Sequence, residues 1–433
     1  MTFKCEEYIH SQMSLPLSQL IKEMIDQPSP IRQIMKMAST ENILNMGLDP
    51  DELISFGGGW VDHLAPDAFK KCYSDICSDK SLFHEIGKYS PTAGLPECRT
   101  QLGYFEKKIF SCQLDTANII IGNSSTQLTH DLFVTLVDPG ETILLFDPCY
   151  ANYPGQIKMV LPQSKIIYLP VLDSEEWTYM PSSSEIIEQF KVLYEKFHPK
   201  IVLFSSPDNP SGQIVPSDVV HAIIDLTQEG NTYTLIDYAY KTQCFQKPPT
   251  YFSWSPTEQP NLISIHSNSK WCHGLGRRLG WIEADTSIID ALERTQQCSI
   301  LCPDTLHQVA LTRYLEKSLE DKSLSKYLYE AQKNYQKASE ITIQGIIDYL
   351  DMPHLTPMGG LYTLMKVHED GDTFVERVLK STGVLFIPGR GFGKTLKKGV
   401  RISYGPLVRK MEKIDEGLQR VGEYIHKKKI KNQ

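Results

Sequence analysis

The sequence predicts an α/β protein with a mainly parallel seven-stranded sheet between helices, joined to a smaller α+β domain. Three observations predict it. From about residue 115 to 290, seven short aliphatic runs alternate with amphipathic stretches. Many of those runs end in Gly, Pro, Asn, Ser or Asp. After residue 303 the alternation gives way to a long helix-compatible stretch followed by a few scattered strand-like segments.

The seven runs are Asn118–Gly122, Thr142–Phe146, Lys165–Leu169, Ile201–Ser205, Tyr233–Ile236, Leu262–Ile265 and Leu279–Ile282. Amphipathic segments such as Ser184–Tyr194 and Ser217–Leu226 lie between several of them. Parallel neighbours need crossover connections, and helices supply them. Ligands on such sheets bind beyond the carboxyl ends of the strands, so the polar residues gathered there mark a candidate site. In the C-terminal third, Asp304 to Leu350 is compatible with helix throughout. It is followed by strand-like Gly360–Val367, a helix near Thr373–Leu379, strand-like Val384–Ile387 and Gly399–Tyr404, and a closing helix Val408–Ile425. The expected division is a large domain over 61–315 and a small one built from 1–60 and 316–433.

A chain of 433 residues is long for a single core, which agrees with two domains. Hydrophobic residues at 41% and charged residues at 22% are ordinary for a globular protein. The net charge of −8 argues against nucleic acid or an anionic membrane as partner. The cationic run His426 to Lys431 reads as a solvated terminus. Ten cysteines are scattered without a Cys-x-x-Cys pair, the closest being Cys298 and Cys302, so buried free thiols are expected and no metal site. Glu6, Glu7 and His10 stand where a signal peptide needs an apolar core, and no run of 18 apolar residues occurs. The expected location is the cytoplasm.

Five local features carry chemistry. Ser267-Asn-Ser269-Lys270, followed by Gly274, Gly276, Arg277, Arg278 and Gly280, lies just past a strand. A lysine there, among hydroxyls and glycines, can bind phosphate or form an imine with a carbonyl; its bland reading is a turn with a surface lysine. Asp237 closes the strand Thr234-Leu-Ile, with Tyr240 three residues on, and a carboxylate there can hold a protonated ring nitrogen. Asn209-Pro-Ser-Gly212 is a turn whether or not it binds anything. Gly122-Asn-Ser124-Ser125-Thr126 runs from a strand into a helix holding Leu128, Leu132 and Leu136. Small polar residues at a helix start make an anion site or simply an N-cap. Arg401 sits inside the alternating strand Val400-Arg-Ile-Ser-Tyr404, where its planar fork suits a carboxylate, either a ligand's or a structural partner's.

Taken in order, these features resemble the fold-type I pyridoxal-phosphate enzymes, specifically the class I/II aminotransferases, over nearly the whole chain. Asn209-Pro-Ser-Gly212 is similar to that family's Asn-Pro-Thr/Ser-Gly motif, and Asp237-Tyr-Ala-Tyr240 to its Asp-x-x-Tyr motif. Ser267-Asn-Ser-Lys270 with Arg278 resembles its Ser-x-Ser-Lys segment and phosphate-binding arginine. Tyr89-Ser-Pro-Thr-Ala-Gly94-Leu, Pro357-Met-Gly-Gly360 and Arg401 also match.

The resemblance implies an aspartate-aminotransferase-like fold, pyridoxal 5'-phosphate as cofactor, and a reaction between an α-amino acid and a 2-oxo acid. It implies that Lys270 holds the cofactor as a Schiff base and then acts as general acid–base. It gives Asp237 the pyridine nitrogen, Asn209 and Tyr240 the ring's phenolic oxygen, and Tyr150 the stacking face. The phosphate falls to Ser124, Ser125, Thr126, Ser267, Ser269 and Arg278, with Tyr89 reaching the site of the neighbouring subunit of a homodimer. The substrate carboxylate falls to Arg401, assisted by the backbone around Gly59, with Asn209 beside it.

Two departures bear on loop geometry. His273 stands three residues after the lysine, where the family often has glycine, and the phosphate loop lacks a glycine many relatives carry. The same residues also serve elimination, decarboxylation, racemisation or oxidation of an amino acid, because the protein selects which Cα bond breaks. An idle relative that only binds ligands is disfavoured by the complete set of groups. Substrate choice is barely legible. Trp60, Asp62 and His63 are candidates for the side-chain pocket, and Thr295–Pro303 contains no arginine, which disfavours a dicarboxylate donor.

Overall fold

All seven aliphatic runs form strands of one sheet in the structure, a computed structural model that describes residues 17–26 and 29–431. They are β1 (Ile119–Gly122), β2 (Thr142–Asp147), β3 (Lys165–Pro170), β4 (Ile201–Ser205), β5 (Tyr233–Asp237), β6 (Leu262–Ser267) and β7 (Gly280–Glu283). Their spatial order is β1-β7-β6-β5-β4-β2-β3. Only β7 runs against its neighbours, pairing antiparallel with β1 and β6, with Gly280 opposite Gly122 and Ser267.

The runs are continuous rather than alternating because helices cover both faces. On one face Ile143, Leu145, Leu203 and Leu235 pack with Leu128, Leu132, Ile157 and Leu292. On the other, Leu144, Val202, Phe204 and Ile236 pack with Ile186, Phe190, Val220 and Ile224. Adjacent residues of one strand therefore serve opposite cores, as a period of two requires.

The C-terminal third holds a three-stranded antiparallel sheet of β8 (Tyr362–Lys366), β9 (Ile387–Pro388) and β10 (Gly399–Ser403), with β10 in the middle. Ile34, Ile43, Ile54 and Phe56 join its core, and Ile54–Ser55 pairs in parallel with Val384–Leu385. The helix-compatible stretch after residue 303 is two helices, Thr305–Glu320 and Ser323–Gly345, and then a π turn, Ile346–Leu350. Lys322 at φ +61° breaks it, and the Asp321 carboxylate caps the restart by accepting from the Ser323 N–H at 2.8 Å. The closing helix begins at Glu412, later than its apolar pattern suggests, because Gly405–Leu407 forms a separate 3-10 turn.

Five of the nine described cysteines are buried, but Cys77 and Cys298 are exposed, so burial of every thiol does not hold. No helix among the described residues is long and apolar enough to cross a membrane. Cys5, Glu6, Glu7 and His10 lie outside the described residues, as do the side chains beyond Lys427 in the cationic run.

Candidate active site

The carboxyl edge of the sheet gathers the singled-out residues because each lies at or just after a parallel strand. Asp237 is the last residue of β5, Asn209 follows β4, Tyr150 follows β2, and Lys270 follows β6. The C-terminal sheet contributes Arg401 from β10.

Lys270 Nζ donates to the Gly59 carbonyl and lies 5.7 Å from the centre of the Tyr240 ring. Burial lowers its pKa to about 8, and the nearby Arg401 charge adds to that, while Asp237 opposes it. Asp237 is buried. Its Oδ2 accepts from the Tyr153 hydroxyl at 2.7 Å and its Oδ1 from the Ala239 N–H at 2.9 Å. Burial raises its pKa, and among the described residues no cation forms an ion pair with it. A buried carboxylate with hydrogen bonds but no counter-charge is a place for a cation.

Arg401 is buried as well. One arm of its guanidinium donates to Asn209 Oδ1 at 3.0 Å and the other to the Gly57 carbonyl at 2.8 Å, while its Nε has no partner. The plane lies over the rings of Tyr362 and Phe392, 4.5 and 4.8 Å from their centres. Held by neutral acceptors and rings, it keeps its full charge for an anion.

The turn that carries Asn209 is fixed by backbone contacts. Gly212 adopts φ +69°, and its carbonyl accepts from the N–H groups of Met358 and Gly359 at 2.8 and 3.0 Å. A Cβ on Gly212 would lie 2.3 Å from the Tyr362 carbonyl oxygen, so only glycine fits. The Asn209-Pro-Ser-Gly212 and Pro357-Met-Gly-Gly360 segments are thus two halves of one joint.

At the other end, the helix Ser125–Leu136 begins directly after β1. The Ser124 hydroxyl accepts from the Gln127 N–H at 3.2 Å, which leaves the Ser125 and Thr126 N–H groups without an acceptor among the described residues. A Cβ on Gly280 would come within 2.5 Å of the Ser125 nitrogen, so glycine is what lets β7 close against this helix start. Ser267 and Ser269 are buried nearby at the end of β6, with the Ser267 hydroxyl accepting from the Ser269 N–H at 3.1 Å. Free N–H groups at a helix start with hydroxyls beside them make a site for an anion.

Two expected residues stand apart. Tyr89 is 83% exposed, and among the described residues it has no hydrogen bond to the site. Arg278 is exposed at φ +53°, and its guanidinium donates to the Leu275 carbonyl at 2.7 Å, although its charge still reaches Lys270 and Tyr150. Tyr150 is half-buried, edge-on to Tyr153 with ring centres 5.3 Å apart. Trp60 is 42% exposed, whereas His63 is buried and bonded to the Tyr335 hydroxyl at 2.6 Å, which makes it a core histidine.

Sequence reasoning missed Tyr153, Tyr362, Gly57 and Phe392. Tyr153 had a signal, since it falls one helical turn after Tyr150. Tyr362 had none, because its place opposite Tyr240 depends on how the two sheets meet.

The sequence profile described as Aminotransferase class I and II matches residues 52–421. An aspartate aminotransferase of Pyrococcus horikoshii is 23% identical over 395 residues, covering 89% of this chain and 96% of the relative. Aromatic-amino-acid aminotransferase 2 of Thermococcus litoralis is 25% identical over 414 residues, covering 94% and 98%. Among solved structures, a double mutant of the Thermus thermophilus aspartate aminotransferase superposes with a TM-score of 0.80 at 22% identity, covering 95% of this chain and all of that one.

Proposed function

The chain belongs to the class I and II aminotransferases, and from that premise we propose which of its residues hold the cofactor, bind the substrate and carry the proton. It is a pyridoxal-phosphate-dependent enzyme that moves an amino group between an α-amino acid and a 2-oxo acid. The observation that carries the residue assignment is the Asp237 carboxylate, buried without an ion pair, near a lysine whose pKa burial lowers to about 8.

The donor set fits pyridoxal phosphate. Asp237 lacks the positive partner that a protonated pyridine nitrogen supplies. Lys270 presents an amine able to bond an aldehyde near neutral pH. The free N–H groups of Ser125 and Thr126, with Ser124, Ser267 and Ser269, suit a phosphate, and the Arg278 guanidinium would add its charge. When bound, the cofactor supplies an electron sink for the pair left on the substrate's Cα.

Lys270 Nζ would hold the cofactor through its aldehyde carbon and, when free, would move a proton at the substrate Cα. Asp237 would keep the ring nitrogen protonated, Asn209 and Tyr240 would bond the ring oxygen, and Tyr150 would cover the ring. Arg401 binds the substrate α-carboxylate beside Gly59 and Asn209. Aromatic rings surround that arginine, and no second arginine occurs in Thr295–Pro303, which favours an apolar or aromatic donor over a dicarboxylate. We further assign the enzyme to the cytoplasm as a homodimer, in which the exposed Tyr89 completes the partner's phosphate site. The large domain spans 61–315, with 1–60 and 316–433 forming the small one.

Borohydride reduction tests the lysine. The wild-type protein should retain the cofactor covalently on the peptide containing Lys270, and Lys270→Ala should retain none. Covalent retention by Lys270→Ala removes the assignment. A screen of amino acids for conversion of the cofactor spectrum, without acceptor, ranks the donors.

A further inference from the structure

The Tyr240 and Tyr362 hydroxyls lie 2.7 Å apart, and neither has another hydrogen-bond partner among the described residues. Both side chains are buried, Tyr362 completely. One hydrogen bond uses one proton, and the pair holds two. The second is a buried donor with no acceptor, which a native protein rarely leaves idle.

We propose that Tyr362 is a positioning residue for the cofactor: it donates to the Tyr240 oxygen and thereby commits the Tyr240 proton to the cofactor's ring oxygen. The inference rests on the reading above, in which Tyr240 faces that oxygen. Its support is the geometry of the pair. Tyr240 follows Asp237 by three residues and lies under Lys270 Nζ, so its outward side faces the place where the ring belongs. Tyr362 lies on the substrate side of the pair, with its hydroxyl 3.3 Å from where a Cβ on Gly59 would be. If Tyr240 donated to Tyr362 instead, then without substrate the Tyr362 proton would have no acceptor among the described residues, and Tyr240 lone pairs would meet the negative ring oxygen. In the substrate-free holoenzyme only one direction satisfies both hydroxyls.

The surroundings favour that direction. Arg401 lies 4.5 Å over the Tyr362 ring and stabilises its phenolate, which makes that hydroxyl the better donor. Burial raises the pKa of both phenols, but the bond between them raises Tyr240 further and lowers Tyr362. Tyr150, Tyr404, Arg401 and Lys270 are the titratable or charged groups facing the pair. Tyr362 cannot swing away. Its backbone is paired with Ser403 on β10, and its carbonyl abuts Gly212. A hydroxyl that accepts one hydrogen bond donates a stronger one, so Tyr362 strengthens the hold of Tyr240 on the ring oxygen.

The test uses the holoenzyme and the pH midpoint of the bound cofactor's visible absorption change, a readout independent of turnover. A weaker bond to the ring oxygen leaves it more basic, so the proton it shares with the neighbouring nitrogen is lost at higher pH. Tyr240→Phe should raise the midpoint by about one unit or more, the size of a hydrogen bond to a charged group. Tyr362→Phe should raise it by about half a unit, as expected for part of one such bond. Adding Tyr362→Phe to Tyr240→Phe should move it no further. If Tyr240→Phe shifts the midpoint and Tyr362→Phe does not, the inference falls while the reading of Tyr240 stands. If Tyr362→Phe shifts it equally in both backgrounds, Tyr362 acts by another route and the inference also falls. An unmoved midpoint in Tyr240→Phe overturns the underlying reading itself.

Discussion

Two buried charge clusters both draw on the ends of β5 and β6, and they solve the same problem in opposite ways. In one, behind the site, Lys241 Nζ bonds Glu106 at 2.7 Å, and His266 lies 3.5 Å from Glu106 and 3.2 Å from Glu283, stacked on Trp281. Burial pushes the Glu283 carboxyl up to about 7 and holds the His266 imidazole down to about 3. The cluster therefore carries its own counter-charge: the Lys241–Glu106 ion pair sits beside a neutral imidazole and a carboxyl whose ionisation burial suppresses. Its carboxylates and imidazole lie close enough to ligate an ion, but Lys241 already occupies the cationic role. In the other cluster, Asp237, Lys270 and Arg401 feel one another's charge but form no ion pair among the described residues. A balanced cluster is structure, and an unbalanced one is a binding site waiting for its counter-charges.

The comparison breaks most sharply at Lys241. Lys241→Met leaves Glu106 buried with no cation, and should destabilise the protein by about 3–5 kcal/mol, read as a lowered denaturant midpoint. The cofactor spectrum of whatever remains folded should be unchanged. A stable Lys241→Met protein with an altered spectrum would mean that the cluster belongs to the site.

Asp237→Asn should do the reverse. Because burial raises the Asp237 pKa, the native protein without cofactor holds that proton above the pH at which the unfolded chain releases it. Stability then falls as pH rises from the ordinary carboxylate range through the raised pKa, and the penalty stays at neutral pH. Asparagine removes it, so the cofactor-free variant should melt no lower than wild type at pH 7. Its transamination rate should drop roughly 10²–10³-fold, as when a preorganised charge is removed from an active site. A large loss of stability would show that Asp237 is as structural as Glu106.

The two clusters were also unequally legible in the sequence. Lys270, Asp237, Asn209 and Arg401 could be read because each sits at a strand end or in a turn whose local pattern is written in consecutive residues. The seven strands were readable for the same reason: a strand buried on both faces leaves an unbroken aliphatic run. Glu106, His266 and Glu283 gave no signal. They lie on a helix and two strands far apart in sequence, and only the packed sheet brings them together. The pairing of Tyr240 with Tyr362 was hidden in the same way. The break at Lys322 was hidden for a different reason, since a charged residue in the left-handed region leaves helix periodicity intact on both sides.

The smallest expected effect belongs to Tyr153, which separates a residue that supports the site from one that merely fills the core. Its hydroxyl donates to Asp237 and is the leading influence that opposes burial at that carboxylate. Removing it in Tyr153→Phe raises the Asp237 pKa further, so the carboxylate is protonated at a higher pH as the solution is acidified. The acid limb of the kcat profile should move upward by about half to one unit, the equivalent of one neutral hydrogen bond to a charged acceptor. KM should change little, because Tyr153 touches neither Arg401 nor the backbone at Gly59. An acid limb that stays in place while the melting temperature falls would assign Tyr153 to the core alone, and would leave Asp237 held only by the Ala239 N–H and the cofactor itself.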